Sequence, residues 1–95
     1  MTKLIKIVKS TKSGKKFTAI FDKNGRTIRR NFGASGMDDY TLRGDKAQRS
    51  RYRSRHSKDL KGDPTKPGYL SYYILWGPNK SMKANVAAYK RHFNL

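Results

Sequence analysis

Four arginines, a histidine and a lysine fall within ten positions around one tyrosine: Arg49, Arg51, Tyr52, Arg53, Arg55, His56 and Lys58. A guanidinium group pairs with phosphate through two parallel N–H donors and also stacks on flat rings, so this density suits a phosphate backbone. If the run is helical, Arg49, Tyr52, Arg53 and His56 share one face, and Arg51, Arg55 and Lys58 share another. A second group of cations lies in the N-terminal third: Lys3, Lys6, Lys9, Lys12, Lys15, Lys16, Arg26, Arg29 and Arg30. Of these, Lys15, Lys16, Arg29 and Arg30 are the chosen phosphate contacts, beside Arg49, Arg51, Arg53, Arg55 and Lys58.

The residues that would support catalysis are few. The chain has no cysteine and no glycine-rich phosphate loop ending in Lys-Ser or Lys-Thr, and His56 and His92 stand far apart. Asp38, Asp39 and Asp45 could hold a divalent metal beside a basic surface, which would make a nuclease. Turn, cap or ion-pair roles explain these three more simply, so the expectation is a protein that is not an enzyme, with no cofactor and no metal.

Charge balance carries the same message. Among 95 residues, 23 are Lys or Arg and 6 are Asp or Glu, a formal net charge of +17. Six acids cannot neutralise that surplus, and like charges repel in the compact state unless an anion screens them. The partner inferred is nucleic acid, DNA ahead of RNA, held through its backbone with little base reading. Nothing here resembles a helix-turn-helix or zinc-finger reader. Self-association is left open. No apolar stretch has the length of a signal peptide or a membrane span, so no membrane partner is expected.

These cations need a scaffold, and a chain this short supports one core, giving a single basic domain over residues 1–95. Phe17, Phe21, Phe32, Trp76 and Phe93 are spread through it, unlike in a disordered basic tail. Residues 3–9, 16–22 and 26–32 alternate in the manner of strands, with Ile5 and Ile7 expected on one side and Leu4 and Val8 on the other. Asp22-Lys23-Asn24-Gly25 supplies a tight turn, so residues 1–32 form a β-rich meander of three antiparallel strands. Residues 32–41 read as a loop.

An α-rich half follows over residues 45–95. Asp45 caps a helix running from Lys46 to Asp59, and Ser81 caps another whose Met82, Val86, Tyr89 and Phe93 form one stripe. Tyr69 to Trp76 suits either type and is assigned to a short helix, since Pro67 can start one and Gly77-Pro78 can end it. Tyr69, Tyr72, Tyr73 and Trp76 could stack on unpaired bases, but a small chain needs such rings for its core. The fold class is therefore α+β, a small antiparallel meander followed by two or three short helices.

Five segments taken together resemble an uncharacterised family of small basic proteins of large DNA viruses infecting algae and protists. They are Phe17 to Phe21, Phe32 to Thr41, Arg51 to His56, Asp63 to Ser71 and Ile74 to Trp76. The resemblance implies a viral setting, in the virion or inside the host cell, in the nucleus or a cytoplasmic viral factory. There the protein would condense or package the genome. The rival reading is a minor virion protein whose positive face docks on acidic capsid proteins, with residues 69–76 as its assembly interface. No catalytic residue is carried over.

Overall fold

The computed structural model describes all 95 residues and contains a three-stranded antiparallel sheet followed by four short helices. Strands β1 (Thr2–Lys9), β2 (Lys15–Lys23) and β3 (Arg26–Ala34) pair in chain order as a meander. Between β2 and β3 the chain turns on Asn24, whose φ of 53° lies in the left-handed region that Asn tolerates. Asp22 braces this turn by accepting from the Gly25 N–H at 3.0 Å.

Alternation on β2 sorts the sheet. Phe17, Ala19 and Phe21 face the core, and their neighbours on β3 are Phe32, Arg30 and Ile28. On β1 the expected phase is broken. A bulge between Leu4 and Lys6 places Leu4 opposite Phe21 and Ile7 opposite Ala19, so these two share the inner face although they lie three residues apart. Ile5, the extra residue, is 57% exposed, and Val8 also lies at the surface. The pairing of Ile5 with Ile7 expected from strict alternation is thereby corrected.

Helices cover only the inner face. Helix α1 (Tyr40–Arg43) is a single turn inside the stretch expected to be loop, and it forms because Asp39 caps it by accepting from the Leu42 N–H. Helix α2 (Lys46–His56) has the expected Asp45 cap, which accepts from Ala47 and Gln48, and it continues as one 3₁₀ turn to Asp59. Those two N–H groups, Gln48 foremost, hold the Asp45 carboxyl below the ordinary range. Helix α3 (Pro67–Leu70) begins at Pro67 and widens into a π-helical turn over Ser71–Leu75, where the Trp76 N–H donates to Ser71 O. Helix α4 (Met82–Phe93) has Ser81 as its cap and packs Met82, Val86, Tyr89 and Phe93 on the core.

One buried amide joins the two last elements. Asn85 of α4 is fully buried; its Nδ2 donates to Ile74 O at 2.8 Å and Asn79 O at 2.7 Å, while its Oδ1 accepts from the Asn79 N–H at 3.0 Å. Gly77 allows this approach, because a Cβ there would lie 2.3 Å from Tyr73 O and 2.7 Å from Asn85 Cγ. A side chain of any size would push the two elements apart.

Tyr89 makes a similar link. Its hydroxyl donates to Pro64 O at 2.7 Å, and burial pushes its ionisation above the usual tyrosine value. A raised folded pKa favours the neutral phenol, so its contribution is complete below about pH 10 and is lost as pH rises further. Tyr89→Phe is expected to cost about 1 kcal/mol at neutral pH. Melting curves of both forms between neutral and alkaline pH should show the gap narrowing above about pH 10.

Candidate nucleic-acid interface

Helix α2 lies with one side against the π turn, and this divides its arginines. On the inward side Arg53 donates from one terminal nitrogen to Tyr72 O at 3.0 Å and Trp76 O at 2.8 Å, with its guanidinium 3.9 Å from the centre of the Tyr72 ring. Arg49 Nε donates to Gly77 O at 2.7 Å, and its head lies 5.6 Å from the Tyr40 ring. Both therefore satisfy carbonyls at the end of the π turn, where the helix dipole is negative and no intrahelical N–H is available. Burial pulls Arg53 below the usual guanidinium value. Arg49 and Arg53, expected at phosphate, each spend one guanidinium nitrogen on holding α2 to its neighbour.

Arg51 and Arg55 point the other way. Both are exposed, and neither makes a hydrogen bond or ion pair within the chain. They line an open cleft of about 810 Å³ between α2 and the segment Gly33 to Asp39, with Tyr52, His56, Leu75 and Trp76 on its inner side. Gly33 shapes the opposite wall. Its φ is 79°, a conformation that favours glycine, and a Cβ there would lie 2.8 Å from Leu75 Cδ1, so any larger residue would be strained and would displace the Leu75 side chain.

Lys16 sits in the same cleft but is already paired. Its Nζ lies 2.6 Å from Asp39 Oδ2, and Asp39 is almost fully buried, with Thr41 Oγ1 and the Leu42 N–H on its other oxygen. A buried carboxylate with a cation and two donors is a structural anchor, so Lys16 is reassigned from phosphate contact to partner of Asp39. Asp38 pairs with Arg43 at 3.0 Å and holds that guanidinium above its usual value, while Asp45 caps α2. Each of the three carboxylates on which a nuclease would depend thus has its own cap or ion-pair role, and no three acidic or histidine side chains converge.

The sheet provides the other basic surface. Opposite the core, Ile20 lies between Lys6 of β1 and Arg29 of β3, and Asp22 lies between Lys3 and Thr27. Lys3, Lys6 and Arg29 are exposed on this uncovered face. Arg30, one residue on, belongs to the inner side opposite Ala19 and is half-buried in the field of Asp63. Alternation therefore separates Arg29 from Arg30. Lys15 at the start of β2 and Lys58 beyond α2 are exposed.

The sequence put Tyr52 and His56 in the basic run and on one face with Arg49 and Arg53, but gave no reason to make them contact residues. Tyr52 stacks on Trp76 at 4.4 Å and lies 4.2 Å from His56, so the cleft has a ring column on its inner wall. That Trp76 would meet Tyr52 depends on packing between segments distant in sequence.

Among the 23 basic side chains, Lys16 and Arg43 form ion pairs with carboxylates, and Arg49 and Arg53 donate to carbonyls. The others have no hydrogen-bonded partner in the chain. No helix is long and apolar enough to cross a membrane. A family model described as a family of unknown function (DUF5754) matches residues 5–56, just over half of the 95, spanning most of the sheet, the cleft loop and α2. No curated protein and no solved structure matches the chain.

Proposed function

The chain belongs to this family of unknown function, and we propose from its charge geometry that it is a non-enzymatic nucleic-acid-binding protein that grips the phosphate backbone without reading sequence. One observation carries the reading: the internal acids and carbonyls engage only a few of the cations, leaving Arg51, Arg55, Lys58 and the sheet face with Lys3, Lys6 and Arg29 turned to solvent. Unpaired guanidinium and ammonium groups on two surfaces suit a long polyanion better than a small acid. The partner proposed is DNA ahead of RNA, and the resemblance to small basic viral proteins makes genome condensation or packaging the corresponding role, in the virion or the infected cell.

Against the rival, a virion protein docking on acidic capsid surfaces through residues 69–76, stands the burial of most of that segment, with Ser71, Tyr72 and Tyr73 part-exposed. Tyr69, Leu70, Ile74, Leu75 and Trp76 are buried in the chain's own core. Titrating the protein into labelled duplex and single-stranded DNA at two ionic strengths, with an acidic protein as competitor, separates the two readings. The expected result is tight binding at low salt that weakens sharply at high salt and resists the competitor. Equal weak binding at both salt concentrations would overturn the proposal.

A further inference from the structure

We infer that the cleft beside α2 receives an unpaired nucleotide of a single strand, the base stacking on His56 and the adjoining phosphates meeting Arg55 and Arg51. The inference rests on the nucleic-acid reading and names the form of substrate that this one site takes. Three flat rings lie together in the cleft wall: Trp76 in the core, Tyr52 stacked on it with 10° between planes, and His56 against Tyr52 at a tilt of 31°. The column ends at the surface, where the His56 side chain is 41% exposed and its Nδ1 lies 3.1 Å from Asp59 Oδ2. A row of ring contacts ending in a part-exposed imidazole offers a planar π surface to a further ring, and every nucleobase has such a face.

Charge and polarity agree with that assignment. Arg51 and Arg55 lie one helical turn apart on the same wall and lack internal partners, so they can follow successive phosphates. Gln48, one turn before Tyr52, also lines the cleft and adds a polar side chain beside the rings. The volume of about 810 Å³ lies within the usual range of ligand pockets. A duplex keeps its bases stacked on one another and could not insert one here without unpairing it.

The decisive comparison uses two strands of equal phosphate number, one abasic throughout and one with a single 2-aminopurine. The base is expected to raise affinity about tenfold, with quenching of its fluorescence. His56→Phe should retain this increment. His56→Ala should remove it. Equal affinity for the two strands, or an increment that survives in His56→Ala, would overturn the inference. The phosphate-binding proposal would stand in either case, and only failure to bind both strands would remove it as well.

Discussion

Replacing Arg51 and Arg55 together by glutamine is expected to weaken nucleic-acid binding roughly tenfold to hundredfold at moderate salt and to lower the slope of log K against log salt by about two. Both guanidinium groups are exposed and unpartnered, so neither holds the fold, and thermal stability should change by no more than about 0.5 kcal/mol. The matched control is Arg53→Gln. That side chain satisfies Tyr72 O and Trp76 O and lies on the Tyr72 ring. Its loss should cost about 2 kcal/mol in stability while leaving the salt slope of the folded protein unchanged. Binding isotherms at several salt concentrations, with melts of the same samples, check both halves. If Arg53→Gln changed the slope and the double variant did not, the division of α2 into an anchoring side and a binding side would be wrong.

Asn85→Ala is expected to remove about 3 kcal/mol, because it opens a cavity at a fully buried position, leaves the buried Ile74 O without a partner and releases both backbone groups of Asn79. A 95-residue domain of this kind has a total stability of roughly 5 kcal/mol or a little more, so much of the folded population would be lost on warming. The melting temperature should fall by about 15 °C. Asn85→Asp, which preserves shape, separates hydrogen bonding from packing. It replaces the Nδ2 donor by an acceptor facing two carbonyls, and it should be at least as harmful. A mild effect of Asp together with a severe effect of Ala would show that volume, not the amide, joins α4 to the π turn.

How far the sequence disclosed this molecule depended on whether local or long-range physics decided each feature. The meander followed from alternation and from Asn24-Gly25, and the caps at Asp45 and Ser81 followed from side chains able to accept from their own helices. Phase in β1 was hidden, because a bulge is decided by what the strand packs against, and the adjacent apolar pairs Leu4-Ile5 and Ile7-Val8 leave the inward side undetermined. The turn of helix at Tyr40–Arg43 was hidden too, since Asp39 as a cap is indistinguishable in sequence from Asp39 in a loop.

The cations show the same boundary. The two-faced arrangement on α2 was legible from 100° spacing, but which face turns inward was not, because the carbonyls that capture Arg49 and Arg53 belong to residues 72, 76 and 77. Likewise Lys16 meets Asp39 only once β3 and the following loop have folded back across the start of β2. Charge surplus, by contrast, is a sum over the chain and needed no contact information.

The slope of log K against log salt for the unaltered protein on duplex DNA tests the central claim most directly. With about six to eight phosphates engaged, the predicted slope is roughly −5 to −7. A slope near zero, or undiminished binding in high salt, would contradict it.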